Sequence, residues 1–420
     1  MPKFIIQGQK PLQGEITVGG AKNAALKIIP AAILSEGAII VKNTPDIEDV
    51  KRLLEIFEDL GGTTERNGDQ LILRMEQINK TTIEAKFANK LRSSIMFVAP
   101  LLARTGEVMF PHPGGCVIGA GLRPIDLFID SFQALGAKIE YKDSYYHISA
   151  KRLKGCSYFF TTVSATGTES FIMAAVLAEG TSIIKNCAME PEIVALAEHL
   201  NKCGAKITGA GTPTIIIEGV ESLTGGEIEI IPDRIEAGTF AILAAAARAP
   251  LMIKRCRPDH LESLLTIFKK LGINFEQGED WLKIIEVPKI LPAYNLKTHE
   301  YPGFPTDLQS PFTVLMTQAT GTSIIHETIY DRRLLFTDML TQMGANVTMC
   351  DPHRVVIQGP TPLRGRALTS PDLRAGISMI IAGAIAKGTT EIDNIYQIER
   401  GYEKIDERLK AIGLDIKRAE

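Results

Sequence analysis

The stretch VLAEGTSIIKN at residues 176–186 decides the fold, because variants of it recur along the whole chain. Each copy ends an apolar helical segment, in most cases at a glycine, and continues into residues typical of a strand. The other copies are ILSEGAIIVKN (33–43), LLARTGEVMF (101–110), AAARAPLMIKR (245–255), TQATGTSIIHE (317–327) and AIAKGTTEIDN (384–394). Their spacing of roughly 70 residues predicts a repeated supersecondary unit.

A second series of glycines has the same spacing and ends a different set of helical segments. Glycine adopts the left-handed conformation that closes a helix without strain, so each of these residues is predicted to terminate a helix. The series is Gly61, Gly136, Gly204, Gly272, Gly344 and Gly413. A strand pair precedes the first helix, as in FIIQGQKPLQGEITV (4–18). Six repeats follow, each with the order strand, strand, helix, strand, helix, strand, in an α/β fold.

The two helices of each repeat differ in polarity. The first, as in ESFIMAAVLA (169–178), is apolar nearly all round, which predicts burial on every side. The second, as in DIEDVKRLLEIFEDLG (46–61), has apolar residues on one face only. We therefore predict two globular halves of three repeats each, with a cleft between them as the natural binding place.

Composition excludes several classes of function. Among the 420 residues, 46 Lys and Arg stand against 49 Asp and Glu, so the net charge of −3 gives no general attraction for nucleic acid or an anionic membrane. No leader pattern or apolar run of transmembrane length is present, which predicts a cytoplasmic protein. The six cysteines are scattered and are predicted to be free thiols. With no HExxH motif, no Cys/His cluster and no nucleotide-binding fingerprint, we expect neither metal nor other cofactor.

Charged residues stand at the starts of most of the buried helices. A helix start offers free N–H groups and a partial positive charge, so an adjacent cation strengthens it as an anion site. Lys22 and Arg92 fit that role, although a charge at such a position can also simply reach solvent. The full set is Lys22, Arg92, Asp233 with Arg234, Asp307 and Arg374.

Two further residues, Cys116 and Arg400, and one residue of this set, Asp307, are candidates for chemistry. The Pro- and Gly-rich loop PHPGGCVIGAGLRPIDLF (111–128) displays Cys116, which near Arg123 would serve as nucleophile or proton donor, or is a small buried residue. Asp307 is either a helix cap or a general base. Arg400 lies after the last buried helix, a position that by itself indicates a surface charge.

The chain resembles the UDP-N-acetylglucosamine enolpyruvyl transferases, or 1-carboxyvinyltransferases, of the EPSP synthase-like superfamily. The match runs the whole length and its motifs occur in the family's order. They are GGAKNAAL (19–26), LRSSI (91–95), PGGCVIG (113–119), RPIDL (123–127), EPEIV (190–194), PDRIEAGTF (232–240), FPTDLQ (304–309), DLRAG (372–376) and ERGYEKI (399–405).

The resemblance implies a fold and a reaction. The fold is two inside-out α/β barrels of three repeats each, one formed by residues 1–21 with 232–420 and the other by 22–231. The reaction is the addition of the 3-hydroxyl of UDP-N-acetylglucosamine to C2 of phosphoenolpyruvate, followed by loss of phosphate, at the start of peptidoglycan synthesis. Those two small molecules are the expected partners, with no nucleic acid, membrane or obligate protein partner.

The resemblance also implies residue roles. Cys116 is the proton donor, forms a phosphoenolpyruvate adduct and is alkylated by fosfomycin, while Asp307 is the base at the sugar hydroxyl. Lys22, Arg123 and Arg400 hold phosphoenolpyruvate, Asn23 helps to hold the intermediate, and Asp372 with Arg374 supports closure. The residues expected at the sugar nucleotide are Arg92, Arg123, Pro124, Ile125, Asp126, Leu127, Thr162, Val163, Ser164, Ala165, Asp307 and Ile329.

The sequence departs from the family pattern at a few points on the nucleotide side. Gly121 and Leu122 look like an insertion before Arg123, Phe128 stands where histidine is common, and Met189 where arginine usually precedes EPEI. The alternatives are an enolpyruvyl transferase acting on shikimate phosphate or on another nucleotide, and a repeat scaffold without catalysis. The shikimate-type enzymes lack the cysteine loop, and a scaffold has no need of Cys116, Asp307 and Lys22 together.

Overall fold

The structure is a computed structural model that describes residues 2–114 and 125–420. Strands alternate with helices along the whole described chain. The strands are β1 Lys3–Gln7, β2 Gly14–Thr17, β3 Ile39–Lys42, β4 Thr63–Asn67, β5 Gln70–Arg74, β6 Glu107–Pro111, β7 Lys138–Lys142, β8 Tyr145–Ser149, β9 Ser157–Phe159, β10 Thr181–Lys185, β11 Lys206–Thr208, β12 Thr214–Glu218, β13 Gly226–Glu229, β14 Leu251–Lys254, β15 Asn274–Gln277, β16 Trp281–Glu286, β17 Leu296–Lys297, β18 Gly321–His326, β19 Asn346–Asp351, β20 Arg354–Gly359, β21 Ala367–Thr369, β22 Thr389–Asp393 and β23 Asp415–Ala419.

The helices fall into a buried and an amphipathic set, with short 3-10 turns before several of them. They are α1 Lys22–Ala31, α2 Glu48–Asp59, α3 Ala85–Ala88, α4 Val98–Thr105, α5 Asp126–Ala134, α6 Ala165–Ala175, α7 Pro191–Lys202, α8 Arg234–Ala247, α9 Glu262–Lys270, α10 Gln309–Met316, α11 Thr337–Gln342, α12 Leu373–Ile385, α13 Tyr396–Glu399 and α14 Ile405–Ala411. The 3-10 turns are Ala32–Leu34, Arg92–Phe97, Pro258–Leu261, Thr306–Leu308 and Arg333–Phe336. In the part of the chain described, no helix is both long and apolar enough to cross a membrane.

The described residues form two units by internal packing, each with its own hydrophobic core. One unit comprises 2–19 with 232–420, and the other 20–114 with 125–231. In the first, α10 packs against α8 and α12; in the second, α4 packs against α6. These are the helices predicted to be buried, and nearly every residue of α8 and α12 is indeed buried. The domain boundaries drawn from the resemblance, 21/22 and 231/232, stay a prediction.

Each unit contains three small sheets built to a common plan. The first unit has the strand orders β21-β22-β1-β23, β15-β16-β14-β2 and β17-β18-β20-β19; the second has β11-β12-β10-β9, β13-β3-β5-β4 and β6-β8-β7. In five of the six sheets the strand after the buried helix is at an inner position: β10, for example, pairs parallel with β9 and antiparallel with β12. In the second repeat the parallel neighbour is reduced to a bridge between Thr82 and Met109. The predicted α/β repeat is therefore confirmed, while the inside-out barrel stays a prediction.

The predicted strand pair before each buried helix needs a correction. Strands β1 and β2 do not pair with each other, because β1 lies between β22 and β23 while β2 pairs with β14. The segment between them contains Pro11 and is too long for a tight two-residue hairpin turn. The two strands instead link neighbouring sheets of one unit.

The helix-terminating glycines take the predicted backbone conformation in the second series. Their φ angles run from 72° at Gly272 to 114° at Gly61, all in the left-handed region. In the first series Gly106 ends α4 in the same way, with φ 77°, but the prediction is wrong for Gly37, Gly180, Gly321 and Gly388, because α1, α6, α10 and α12 end several residues before them. Arg248 takes the left-handed position in the repeat that lacks the glycine, with φ 54°.

An asparagine recurs after the central strand of three repeats and, in two of them, ties that strand to the start of a buried helix. Asn43, Asn186 and Asn394 have φ values of 54°, 58° and 56°. Their side-chain amides donate to the carbonyls of Ile230, Phe160 and Ser370 at 2.8, 2.8 and 2.9 Å. Phe160 and Ser370 lie a few residues before the buried helices α6 and α12, so Asn186 and Asn394 hold the starts of those two helices in place.

Candidate active site

Asp307 lies at the centre of a cluster of nearly buried charges. It is the second residue of the 3-10 turn before α10, and the N-cap positions of that turn and of α10 are Pro305 and Leu308, so Asp307 occupies neither cap. Arg333 donates to Oδ1 at 2.7 Å, and Arg374 donates to Oδ2 at 2.8 Å. The alternative that Asp307 is a simple cap is therefore wrong, because its oxygens are committed to the two arginines.

The two arginines fix the charge of Asp307. Burial on its own would raise the pKa of this carboxyl, but the positive charges of Arg374 and Arg333 outweigh it and hold the pKa well below its usual range. Both guanidinium groups are nearly buried, with exposed side-chain fractions of 6% and 3%, whereas Asp307 remains 23% exposed. An ionised, partly accessible carboxylate results.

Arg374 connects Asp307 to helix α8 through a chain of hydroxyl groups. Its Nη1 donates to the Tyr402 hydroxyl at 3.2 Å, and that hydroxyl lies 3.0 Å from Oγ1 of Thr239. The Thr239 hydroxyl already donates to the carbonyl of Ile235 at 2.7 Å, so Tyr402 is the donor between the two. Burial raises the pKa of Tyr402 to about 12, which keeps this donor protonated.

Arg333 connects Asp307 in the opposite direction to a buried acid. Its Nη1 donates to Thr306 Oγ1 at 2.9 Å, and the Thr306 hydroxyl donates to Glu327 Oε2 at 2.8 Å. The other oxygen of Glu327 accepts the N–H groups of Ile329 and Tyr330 at 2.9 and 3.1 Å. The predicted ligand Ile329 is thus joined to the Asp307 cluster.

Lys22 is the first residue of α1 and is buried. Its ammonium lies 2.8 Å from a carboxylate oxygen of Asp49 in the first turn of α2, and both side chains are nearly inaccessible. The alternative of a charge that only reaches solvent is therefore wrong for Lys22. Asn23 follows it and is half-buried.

The remaining predicted residues lie mostly at the starts of elements. Arg92 begins a 3-10 turn, Asp126 begins α5, and Ser164 caps α6 by accepting the N–H of Gly167 at 3.1 Å. Arg400 is only 8% exposed and donates to Gln397 at 3.1 Å, so it is not a surface charge. Ile125 is buried, Leu127, Val163 and Ala165 are half-buried, and Thr162 is exposed.

The cysteine loop is described only in part. Cys116, Arg123 and Pro124, with the apparent insertion Gly121 and Leu122, lie outside the described residues. The cysteines that are described carry free thiols, and burial raises the pKa of Cys187 and Cys256 to about 12, which makes them inert. Over the same residues no cluster of His, Cys, Asp and Glu could hold a metal ion.

Comparison with known proteins identifies the family. A family model described as EPSP synthase (3-phosphoshikimate 1-carboxyvinyltransferase) matches residues 6–409. The UDP-N-acetylglucosamine 1-carboxyvinyltransferase of Treponema denticola is 46% identical over 99% of both chains, and that of Thermodesulfovibrio yellowstonii is 43% identical over 100% of both. The chain belongs to the EPSP synthase family. The resemblance to the UDP-N-acetylglucosamine enzymes is thereby confirmed, and the chain is a transferase.

Solved structures of EPSP synthase family relatives share the fold. The enolpyruvyl transferase NikO from Streptomyces tendae superposes with a TM-score of 0.90 at 22% identity, over 100% of this chain and 99% of that one. EPSP synthase from Acinetobacter baumannii gives 0.72 at 18% identity, over 100% of both. The predicted α/β fold class is confirmed.

Sequence reasoning missed Arg333, Asp49 and Glu327. For Arg333 and Asp49, the spacing of charged residues in equivalent repeats of this EPSP synthase family member would have predicted their roles. Asp49 follows Lys22 by 27 residues and Arg333 follows Asp307 by 26, and each pair joins the start of a buried helix to the start of the next amphipathic segment. Opposite charges at these equivalent points predict the ion pairs. Nothing comparable points to Glu327, whose role depends on folding of the loop after β18.

Proposed function

We propose that this chain transfers the enolpyruvyl group of phosphoenolpyruvate to the 3-hydroxyl of UDP-N-acetylglucosamine, with release of phosphate. The observation that carries the proposal is the end-to-end identity of 46% and 43% with two enzymes of that name. The product would be the first committed precursor of peptidoglycan. A cytoplasmic location belongs to the same proposal.

The reaction consists of an addition and then an elimination, and both steps require proton transfer. Addition delivers a proton to C3 of phosphoenolpyruvate and removes one from the sugar hydroxyl as its oxygen bonds to C2. Elimination then removes a proton from C3, restores the double bond and breaks the bond to phosphate. We assign the proton donor at C3 to Cys116, which also forms the covalent adduct and is the thiol for fosfomycin.

Asp307 is the proposed acceptor of the hydroxyl proton. Each carboxylate oxygen accepts one hydrogen bond from an arginine, which leaves further lone pairs for the substrate, and the side chain is partly accessible. Because its pKa is held low, Asp307 is a weak base toward a free hydroxyl. We therefore expect the proton to move only as the new C–O bond forms and the hydroxyl becomes acidic.

Cations are proposed to hold the carboxylate and phosphate of phosphoenolpyruvate throughout. Lys22, Arg123 and Arg400 are assigned this role, because fixed positive groups stabilise the negative charge at no cost of reorganisation. The burial of Lys22 and Arg400 supports the assignment, since partly dehydrated cations bind anions more strongly. Asn23 is assigned to holding the intermediate, and Asp372 and Arg374 to supporting closure. Sugar-nucleotide binding is assigned to Arg92, Arg123, Pro124, Ile125, Asp126, Leu127, Thr162, Val163, Ser164, Ala165, Asp307 and Ile329.

The experiment is a phosphate-release assay on the purified full-length protein. We expect release when UDP-N-acetylglucosamine and phosphoenolpyruvate are both present, and none with either alone. Replacing the sugar nucleotide with shikimate 3-phosphate tests the alternative that the family model's description raises. Release with shikimate 3-phosphate but not with the sugar nucleotide would overturn the proposal.

A further inference from the structure

Glu327 is a buried acid for which the proposed reaction provides no role. It follows strand β18 and its exposed fraction is 0%. Its backbone N–H donates to the carbonyl of His353 at 2.8 Å, which fixes the residue to the turn before β20. A fully buried carboxylate is costly unless its oxygens are hydrogen-bonded, so its partners indicate its purpose.

The partners of Glu327 are all hydrogen-bond donors. Oε1 accepts the N–H groups of Ile329 and Tyr330 at 2.9 and 3.1 Å. Oε2 accepts the hydroxyl of Thr306 at 2.8 Å. A carboxylate suits this site because it only accepts, whereas an amide would turn an NH₂ group toward at least one donor.

The direction of the Thr306 hydrogen bond follows from its two partners. A guanidinium only donates, so Thr306 Oγ1 accepts from Arg333 Nη1 at 2.9 Å, and a carboxylate only accepts, so the Thr306 hydroxyl gives its proton to Glu327. The same guanidinium donates through Nη2 to Asp307 at 2.7 Å. The oriented series runs from the N–H groups of Ile329 and Tyr330, through Glu327, Thr306 and Arg333, to the Asp307 carboxylate.

A second contact links the Ile329–Tyr330 segment to Arg333 directly. The guanidinium of Arg333 lies over the ring of Tyr330, 5.2 Å from its centroid, in a cation–π arrangement. The backbone of Tyr330 is held by Glu327 and its ring by Arg333. A displacement of this segment therefore moves or unpairs the arginine that orients Asp307.

We propose that Glu327 is a positioning residue that couples the Ile329–Tyr330 segment to the Asp307 carboxylate. The inference rests on the proposed function, in which Ile329 contacts the sugar nucleotide and Asp307 receives its hydroxyl proton. Glu327 touches neither substrate. It makes the orientation of Asp307 depend on how the 329–330 segment is seated, so that sugar-nucleotide binding and hydroxyl activation share one rigid hydrogen-bonded element.

The test compares Glu327→Gln, Thr306→Val and Thr306→Ser in full-length protein. Glu327→Gln keeps the shape but places a donor against donors; Thr306→Val cuts the link to Arg333 while leaving both charges. Thr306→Ser retains the hydroxyl and is the conservative rescue. Glu236→Gln is a matched control, because Glu236 is also a buried acid of the same unit that accepts a backbone N–H, from Gly19 at 2.8 Å, and pairs with Arg408.

The readouts are KM for each substrate, kcat and the melting temperature. For Glu327→Gln and Thr306→Val we expect kcat/KM for UDP-N-acetylglucosamine to fall on the order of 10- to 100-fold, the range for losing hydrogen bonds of a charged group. KM for phosphoenolpyruvate should stay within about twofold, and Thr306→Ser should recover most of the loss. The double variant should be no worse than the poorer single one, since both break the same series.

Three outcomes would overturn the inference. The first is wild-type kinetics in Glu327→Gln or in Thr306→Val. The second is an equal rise of both KM values in Glu327→Gln together with a lower melting temperature. That is the result expected for the control Glu236→Gln, and it would mean that Glu327 has a merely structural role. The third is a loss in Thr306→Ser as large as in Thr306→Val. If Glu327→Gln does not fold, the Thr306 pair still decides the matter. Failure of the proposed function is distinct, because wild-type protein would then release no phosphate.

Discussion

At Asp307 two opposing effects act on one carboxyl group. Burial favours the neutral form, and two arginines within hydrogen-bond distance favour the charged form by more. The charge of Asp307 is stable because Arg333 and Arg374 are themselves held, by Thr306 and Tyr402, in fixed orientations. A carboxylate in this environment stays ionised at neutral pH and is available to accept a hydrogen bond from a substrate.

The contribution of Arg333 is tested by Arg333→Met. Removing one of the two positive neighbours raises the pKa of Asp307, so the acid limb of kcat/KM should move to higher pH in the variant, with a lower plateau. Profiles of kcat/KM for the sugar nucleotide between about pH 4.5 and 9 would measure it.

A matched control for that variant is Arg418→Met. Arg418 belongs to the same unit, is exposed at its surface, and pairs with Glu399 and Asp406. Its loss should leave the pH profile unchanged. An Arg333→Met profile that overlays the wild-type one would show that Arg333 does not govern Asp307.

At the scale of single elements, the recurrent asparagines explain how the buried helices are placed. Asn394 holds the carbonyl of Ser370, two residues before Asp372, whose side chain caps α12 by accepting the N–H groups of Arg374 and Ala375. The start of α12 is therefore held both before the cap residue Asp372, at Ser370, and after it, at Arg374 and Ala375. From that position Arg374 donates to Asp307 at 2.8 Å.

Substitution of Asn394 separates two contributions to stability. Asn394→Gly and Asn394→Ala both lose the hydrogen bond to Ser370, but only alanine is strained at a φ of 56°. We expect Asn394→Ala to be less stable than Asn394→Gly by about 1 kcal/mol in chemical denaturation. The same order should hold at Asn186. Equal stability of the two variants would contradict this role of the left-handed backbone.

Helix α7 carries a buried histidine that makes the fold sensitive to acid. His199 is 1% exposed, and neither ring nitrogen has a hydrogen-bond partner among the residues described. Burial, aided by the charge of Lys202, lowers its pKa to about 4 from the ordinary 6.5. Between those values the unfolded chain binds a proton that the folded chain does not.

The free energy of unfolding should therefore fall as the pH drops from about 6.5 to about 4. The part of the free energy of unfolding that depends on a neutral His199 is present in full above about pH 6.5. It amounts to about 3 kcal/mol and is lost progressively as the pH falls from there to the folded-state pKa of about 4. His199→Leu has no group to titrate, so its stability should decline less over the same range. Denaturant titrations of both proteins at several pH values would measure the difference. Parallel curves would refute it.

For the whole molecule, the repeating order of helices and strands was predictable from the sequence, and the pairing of strands into sheets was less so. Burial patterns and helix-terminating glycines are local, so the sequence predicts the six repeats and their two kinds of helix. The assignment of β1 and β2 to different sheets depends on distant partners, β22 and β14, and was missed. Pairing between strands far apart in sequence leaves no local pattern to read.

The residues of the candidate site also divide into those that the sequence predicts and those that only the folded structure reveals. Lys22, Asp307 and Arg374 stand at helix starts, where sequence position alone marks them. Arg333 and Glu327 act only through their partners, and their importance follows from hydrogen-bond geometry that exists after folding. The roles assigned to Cys116 and Arg123 stay predictions, because these two residues lie outside the described ranges.

The central claim is that this chain joins an enolpyruvyl group to the 3-hydroxyl of UDP-N-acetylglucosamine. The most direct measurement is mass spectrometry and NMR of the product, with phosphate quantified in the same reaction. We predict one phosphate released per sugar nucleotide consumed, and a product bearing a single enolpyruvyl ether at the 3-oxygen. Asp307→Ala should still fold and form almost none of it, with a lower melting temperature because the buried Arg333 and Arg374 lose their ion-pair partner. Unchanged sugar nucleotide, or an enolpyruvyl group attached elsewhere, would contradict the claim.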